Sequence, residues 1–206
     1  MKKTADKMSE VNVEQFVMAY RADQDRIRAM LPDGFESLRP VLRINSEIRN
    51  DRVLYLEFNT PVAAYGRKGW LNIANWNSKH DDIGFVREGR IVRIAAPFLD
   101  LKYAGTGKEG GCPAESDNEG CYFLSNDVEF RPYEKIEENK EFCDCSFEWK
   151  FHGEDARGAS EGRTLPAPYT PPVFEYEKCA LSAENAAAIP CEQVLGAYIV
   201  RFIRKR

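Results

Sequence analysis

Residues 52–62, RVLYLEFNTPV, alternate apolar and polar side chains, and this alternation indicates the kind of fold that the chain adopts. Successive side chains of a strand point to opposite faces, so the segment has one apolar and one polar face. The residues on the two faces are Leu54, Leu56 and Phe58 on one side and Tyr55, Glu57 and Asn59 on the other. The segment therefore predicts a strand whose apolar face packs on a core.

The same two-residue period recurs through much of the chain and predicts a protein built mostly of strands. Strands are expected at residues 11–20, 38–47, 52–62, 70–76, 98–103, 121–130, 141–151, 173–181 and 193–203, and a hairpin in residues 85–92 turns at Glu88-Gly89. Short helices are expected at residues 22–31, with Asp23 as N-cap, and at residues 182–189. Residues 152–172, rich in Gly, Pro and Ser, predict a loop.

These elements predict a single domain over residues 1–206, of the α+β class and mostly antiparallel β, with two or three short helices. The sheet is expected to close into a barrel, because closure removes the exposed edges that a large antiparallel sheet otherwise carries. A barrel of this size can enclose one small ligand.

Composition limits the classes of partner. The net charge of −4 gives no electrostatic reason to expect nucleic acid or an anionic membrane. No apolar run approaches the length of a transmembrane helix, and the basic start of the chain lacks the apolar segment of a signal peptide. A cytoplasmic location is therefore expected. Neither the cysteine pairs nor the two distant histidines have zinc-ligand spacing, so no metal site is expected.

Two charged residues have the chemistry of a ligand site, and each has an alternative interpretation. If the polar face of residues 52–62 lines an interior, Glu57 is a partly desolvated carboxylate suited to proton transfer. The pattern alone favours a solvated face, which is common in antiparallel sheets. Arg21 could hold a substrate carboxylate by two parallel hydrogen bonds, or it could form a surface ion pair with Asp23 or Asp25.

A second stretch, residues 105–120 (GTGKEGGCPAESDNEG), is rich in glycine and in acidic residues and lies between two predicted strands. Glycine is kept where the backbone needs a positive φ or a close approach. Polar loops of this length are often functional.

The order of several motifs resembles the acetoacetate decarboxylase family. The segments that carry the resemblance are residues 20–23 (YRAD) with 27–32 (IRAMLP), 55–57 (YLE), 66–69 (GRKG) with 70–72 (WLN), and 107–109 (GKE) with Pro113. They keep the order and the approximate spacing of the family's motifs across residues 11–125. The chain is identified as a divergent member on this resemblance.

The resemblance implies a cone-like barrel, a homo-oligomer, and neither a metal nor an organic cofactor. It implies that substrate is contacted by Arg21, Tyr55, Asn72 and Glu109, and that catalysis involves Glu57, Lys108 and Glu115. The family forms a Schiff base on the first lysine of a Lys-Lys pair. Here Pro113 is followed by Ala114 and Glu115, so Lys108 is the nearest substitute, and Lys102 or Lys68 becomes a candidate under a shifted alignment.

The resemblance therefore implies a lyase that acts on a small oxo (β-keto) acid, with or without an imine-forming lysine. Two alternatives remain open at this point. The barrel could bind a small carboxylate or an apolar ligand without catalysis, or the protein could be structural and have no ligand site.

Overall fold

Strands dominate the structure, a computed structural model that describes residues 10–110, 112–113, 121–124, 136–137, 145–151, 157–160 and 176–205. Its elements in chain order are β1 (Glu10–Arg21), α1 (Gln24–Met30), β2 (Glu36–Ser37), β3 (Val41–Arg49), β4 (Val53–Ala64), β5 (Arg67–Asn77), β6 (Gly84–Glu88), β7 (Ile91–Ala96), β8 (Leu99–Gly105), β9 (Lys108–Glu109), β10 (Cys112–Pro113), β11 (Cys121–Leu124), β12 (Ile136–Glu137), β13 (Cys145–Phe151), β14 (Arg157–Ser160), α2 (Ala183–Ala187) and β15 (Gln193–Lys205). Neither helix has the length and the apolar character needed to cross a membrane.

The larger sheet, sheet A, contains the five longest strands as neighbours in the order β5-β4-β3-β1-β15, all antiparallel. Short strands extend both ends, because β11 pairs with β5 and β9 pairs with β15, each in parallel. The two-residue β2 pairs with β4. Of the motifs singled out in the sequence, residues 55–57 lie on β4 and residues 70–72 on the neighbouring β5, while residues 108–109 form the edge strand β9.

The smaller sheet, sheet B, is antiparallel with the order β14-β13-β8-β7-β6. Its β6–β7 hairpin confirms the predicted one, but the turn falls at Gly89-Arg90, and Gly89 has a φ of 62°. Cys145, Phe147, Trp149 and Phe151 all point from β13 into the core, as the alternation predicts.

Sheet B packs on the apolar face of sheet A, and aromatic side chains make much of the contact. Ring centroids are 5.0 Å apart for Phe16 and Tyr103, and 5.9 Å apart for Tyr20 and Trp149. Each such pair adds about 0.5–1.5 kcal/mol to the free energy gained from burial alone. The face of β4 formed by Leu54, Leu56 and Phe58 belongs to this core, as predicted.

The prediction of a closed antiparallel barrel is wrong. Within the described residues no sheet closes on itself, and sheet A is mixed because its terminal pairs are parallel. The physical reason is that sheet B covers the apolar face of sheet A, so that face is buried without closure. The edges of sheet A are instead occupied by the short strands β11 and β9.

Both helices form within the predicted segments, and Asp23 is the N-cap of the first, as predicted. The Asp23 carboxylate accepts hydrogen bonds from the backbone N–H groups of Asp25 and Arg26, and the Ser182 hydroxyl accepts one from Asn185. These bonds satisfy donors that a helix start leaves without partners.

Two other predictions need correction. Residues 176–181 were expected to continue a strand over 173–181, yet they form none, because their polar groups bond to the first helix and its flanks. Cys179 N donates to Ala29 O (3.1 Å), Lys178 Nζ to Leu31 O (3.1 Å), and Tyr176 Oη to Asp23 (3.0 Å). The predicted loop 152–172 contains β14, which pairs with β13.

The position of β9 generates a first prediction. A Cβ on Gly107 would lie 2.8 Å from Cγ2 of the buried Ile199, so Gly107→Ala must displace β9 or β15. We expect a loss of about 1–3 kcal/mol in the free energy of unfolding, measured by denaturant titration. Gly84→Ala is the matched control, since nothing lies within 4 Å of its Cβ position. Equal stabilities of the two variants would contradict the close packing of β9 on β15.

Candidate functional site

The polar face of sheet A is buried, and this overturns the expectation that Glu57 faces solvent. Glu57 is only 6% exposed, and β3 is buried on both faces from Val41 to Ile48. The register between β3 and β4 pairs Arg43 with Asn59, Asn45 with Glu57, and Glu47 with Tyr55. Directly paired residues point to the same face, so these six side chains form one polar surface.

Glu57 is the centre of a hydrogen-bond network on this surface. Its Oε1 accepts a bond of 2.7 Å from Asn45 Nδ2. Its Oε2 accepts bonds from Tyr55 Oη (2.9 Å) and Asn72 Nδ2 (3.2 Å). The nearest cation is Arg43, whose Nη2 lies 3.9 Å from Oε1. A buried carboxylate needs such donors, because desolvation without them costs several kcal/mol.

A β-bulge in the pairing of β4 with β5 is needed for the contact between Asn72 and Glu57. The register shifts between Phe58 and Asn59, so Asn59 faces Asn72 while Glu57 faces Asn75. Bulges redirect side chains in this way and are frequent beside functional sites. Asn75 Nδ2 in turn donates to Asn72 Oδ1 (3.2 Å), which orients the Asn72 amide toward Glu57.

Arg43 lies beside Glu57 and is equally buried. Its guanidinium carbon is 3.7 Å from the centre of the Trp70 ring, and its Nε donates to Asn59 Oδ1 over 3.5 Å. The stacked indole and the adjacent carboxylate both favour a buried guanidinium. The site thus contains a carboxyl group and a guanidinium whose nearest atoms are 3.9 Å apart, each with its own amide partners.

Several polar atoms of this surface have no hydrogen-bond partner within the described part of the chain. They are Gln15 Oε1, Asn45 Oδ1, Asn59 Nδ2 and Trp70 Nε1, all from residues that are at least 98% buried. An unpartnered buried donor or acceptor costs about 1–3 kcal/mol, so native structures rarely keep one without a reason. These atoms mark the surface as a place where a small polar ligand can be bound.

Glu47 forms a second buried cluster at the other end of β3. Both of its oxygens are bound by Arg204 at 2.8 Å, and Arg49 Nε donates to Oε2 at 2.8 Å. Burial alone would raise the pKa of Glu47, but the hydrogen bonds and charges of Arg204 and Arg49 outweigh it and lower that pKa. The same pairing raises the pKa of Arg204 against the effect of its own burial.

Tyr55 connects the two carboxylates. It pairs with Glu47 across the strands, and its hydroxyl donates to Glu57. The guanidinium carbon of Arg49 lies 4.2 Å from the centre of the Tyr55 ring. Burial raises the pKa of the Tyr55 phenol well above its ordinary value of 10, and the neighbouring Glu57 charge raises it further. The phenol therefore keeps its proton across the physiological pH range and acts as a donor.

The structure brings together some of the predicted site residues. Tyr55, Glu57 and Asn72 are in direct contact. Arg21 pairs with Val41 and so lies on the same face, but its Nε bonds to Glu192 (3.1 Å), not to Asp23 or Asp25 as the surface alternative proposed.

The remaining predicted residues lie farther away or outside the described residues. Lys108 pairs with Val200, and Val200 pairs with Gln15, so Lys108 also lies on the polar face. Its strand, β9, is the fourth along the sheet from β4, which carries Tyr55. Glu109 pairs with Arg201 on the opposite face. Glu115 lies outside the described residues. Of the alternative lysines, Lys102 bonds to Glu148 in sheet B and Lys68 is exposed on β5.

Sequence reasoning missed Gln15, Arg43, Asn45, Asn59 and Trp70 as members of the site. A signal was present in the predicted strand 38–47, where Arg43, Asn45 and Glu47 alternate with apolar or small residues. Three polar residues on one face of a strand, next to the polar face of residues 52–62, could have predicted a shared surface.

No protein-family model matches the chain, and no curated protein matches it either. The acetoacetate decarboxylase of Legionella pneumophila is similar in structure, with 11% identity, a TM-score of 0.47, and coverage of 95% of this chain and 84% of that one.

Two further solved structures are similar over nearly the whole chain. An acetoacetate decarboxylase-like enzyme from Sphingomonas wittichii RW1 has 11% identity, a TM-score of 0.46, and coverage of 97% of this chain and 90% of that one. The enduracididine biosynthesis enzyme MppR, complexed with pyruvate, has 10% identity, a TM-score of 0.46, and coverage of 98% of this chain and 88% of that one.

The Glu47 cluster generates a prediction about pH. A carboxyl group whose pKa is lowered by folding stabilises the folded state above its unfolded pKa, and this contribution disappears as pH falls through the folded pKa. The free energy of unfolding should therefore fall as pH is lowered below 4.5, the ordinary glutamic acid pKa, by up to about 1.4 kcal/mol per pH unit from this group.

Glu47→Gln should remove that part of the pH dependence, measured by urea titration between pH 3 and pH 7. Glu148→Gln, which breaks only an exposed pair with Lys102, is the control and should keep the wild-type slope. If Glu47→Gln and wild type show parallel slopes, Glu47 is not the group that titrates.

Proposed function

We propose that this protein is an acetoacetate decarboxylase-like lyase that removes the carboxylate of a small 3-oxo (β-keto) acid as CO₂. The observation that carries the proposal is the buried Glu57, held by Asn45, Tyr55 and Asn72 beside the buried Arg43. Fixed dipoles in a dry site are the main means by which enzymes stabilise charge that moves during a reaction. Buried amide atoms without partners add groups that a polar substrate can satisfy.

The proposed chemistry needs a place for a negative charge and a proton. The bond between C2 and the carboxylate carbon breaks, CO₂ leaves, and the electron pair forms an enolate whose charge ends on the keto oxygen. C2 then takes up one proton, and the ketone is restored. Arg43 adds positive charge to the site. Glu57 passes a proton from water to C2 and the hydroxide left behind goes to solvent, so one oxo acid anion and one water give the ketone, CO₂ and hydroxide.

Tyr55 and Asn72 support this role of Glu57. The Tyr55 phenol is a donor that does not lose its proton at ordinary pH, because burial and the Glu57 charge hold its pKa high. Asn72 is itself oriented by Asn75, so the carboxylate is fixed from two strands. A proton-transfer group must be held within hydrogen-bond reach of its substrate, and rigid strands achieve this better than loops.

Lys108 provides a second route for decarboxylation, in which an imine accepts the electron pair of the broken carbon–carbon bond. Its amine would condense with the keto group, releasing water and forming an imine, and loss of CO₂ would leave an enamine that is protonated at carbon and hydrolysed. The position of Lys108 on the polar face of sheet A supports this route. The homo-oligomer implied by the sequence resemblance stays a prediction.

The role of Glu57 predicts a loss of turnover on substitution. Glu57→Gln keeps the size of the side chain and removes its ability to carry the proton, so kcat for CO₂ release should fall about 100-fold or more. The measurement is CO₂ release from acetoacetate and 3-oxopentanoate, corrected for the spontaneous rate. Glu148→Gln, on the exposed face of β13, should match wild type.

If wild type releases no CO₂ above the spontaneous rate from either acid, the lyase proposal fails. Binding of these acids without turnover would then favour the alternative of a non-catalytic protein that binds small carboxylates.

The two routes are separated by reductive trapping. Incubation with acetoacetate and sodium borohydride should add the substrate mass to Lys108, located by peptide mass spectrometry, if an imine forms. Lys108→Arg should lose the adduct, while Lys102→Arg should keep it, because Lys102 bonds to Glu148 in sheet B. CO₂ release without any adduct would rule out the imine and leave the direct route.

A further inference from the structure

Trp70, Arg43 and Asn59 form one corner of the buried polar surface, and we call these three residues the corner. Arg43 contacts both of the others, because it stacks on the Trp70 ring at 3.7 Å and donates to Asn59 Oδ1 at 3.5 Å. Arg43 is 2% exposed, Trp70 is 1% exposed, and Asn59 is completely buried. Three groups of this polarity are rarely buried together unless each is satisfied.

The corner contains an excess of hydrogen-bond donors. Trp70 Nε1 and Asn59 Nδ2 are donors without a partner in the described chain, and both belong to residues that contact the Arg43 guanidinium. The indole N–H can only donate, so no alternative assignment of its atoms removes the mismatch. A group that satisfies it must be an acceptor, and the guanidinium beside it favours an acceptor with negative charge.

We infer that the corner is the subsite for the carboxylate of the ligand, with Arg43, Asn59 Nδ2 and Trp70 Nε1 as its donors. The subsite rests on the proposed function in one respect, because the carboxylate belongs to the same small oxo acid. It assigns the carboxylate to Arg43 in place of Arg21, whose Nε bonds to Glu192. Neither Asn59 nor Trp70 acts in proton transfer, so both are substrate-binding residues.

The position of the corner relative to Glu57 is what the reaction requires. Arg43 Nη2 lies 3.9 Å from Glu57 Oε1, so a carboxylate held by the guanidinium lies next to the group proposed to deliver the proton. Around Trp70, the side chains of Val41, Leu195 and Ala19 form a small apolar cluster. This apolar cluster separates the corner from solvent on that side, which strengthens hydrogen bonds and ion pairs formed at the corner.

The hydrogen bond from Trp70 Nε1 to the substrate carboxylate stabilises the bound substrate more than the transition state. The negative charge of the carboxylate disappears as CO₂ forms, so a bond from Trp70 Nε1 to that carboxylate weakens toward the transition state. Such a bond lowers KM without raising kcat. Trp70→Phe, which keeps a ring beneath Arg43, should therefore raise KM about 10-fold and leave kcat unchanged or higher.

The direct test is an NMR titration of the wild-type protein, and variants are used only to assign the resonances. In protein labelled with ¹⁵N at the indole nitrogen, titration with pyruvate should shift the Nε1–H resonance of Trp70, while that of Trp149 stays in place. The neutral amide of pyruvate should not shift the Trp70 signal. Resonances are assigned with Trp70→Phe and Trp149→Phe. An unmoved Trp70 signal at tens of millimolar pyruvate, or an equal shift with the amide, overturns the inference.

Substitutions give the second measurement, the Kd for pyruvate by the same titration or by calorimetry. Trp70→Phe and Arg43→Lys should each weaken binding about 10-fold, since each loses a charge-assisted hydrogen bond. Trp149→Phe is the matched control and should bind normally. Trp149 also has a buried, unpartnered Nε1, but it lies in the core beside Tyr20. If Arg21→Lys weakens binding and the two corner variants do not, the carboxylate lies at Arg21 and the inference is wrong.

Failure of this subsite and failure of the proposed function give different results. Pyruvate binding at Trp70 without any CO₂ release from oxo acids retains the subsite and removes the lyase. CO₂ release with normal KM in Trp70→Phe and an unmoved Trp70 signal retains the lyase and removes the subsite.

Discussion

The need to give a buried carboxyl group enough hydrogen-bond donors is the constraint on which the polar face of sheet A depends. Glu57 is buried on a central strand, so each of its oxygens must find donors within the sheet. Asn45 supplies one from β3, Tyr55 one from its own strand, and Asn72 one from β5. Removing any one of these donors leaves a buried charge partly unsatisfied, which is far more costly than losing a surface pair. The choice of amides at these positions follows from that cost.

The second physical feature is the difference between the two faces of sheet A. One face packs on sheet B through large aromatic side chains, and this contact supplies most of the hydrophobic core. The other face is buried as well, yet it is lined by polar groups, some of them without partners in the described chain. A structural role requires only the first face. Burial of the second face costs free energy wherever a polar group lacks a partner.

Much of the local structure could be predicted from the sequence because it depends on neighbouring residues. Asp23 and Ser182 cap helices through bonds that span two or three residues, and the alternation at residues 52–62 fixes which side chains share a face. The hairpin turn is displaced by one residue, and the larger failures are long-range. Residues 176–181 bond to the first helix instead of a strand, and the sheet is covered by sheet B instead of closing. Neither partner can be read from a local pattern.

The sequence by itself determined most of the strands, the Asp23 cap, and the fact that Tyr55, Glu57 and Asn59 point the same way. Only the tertiary structure decided that this face is buried and that Arg43 and Asn45 lie against it. It also placed Asn72 within reach of Glu57, through a bulge between Phe58 and Asn59 that shifts the pairing by one residue. The physical reason is that period two fixes the relative direction of side chains within a strand. Burial, register and cross-strand partners are properties of the assembled sheets.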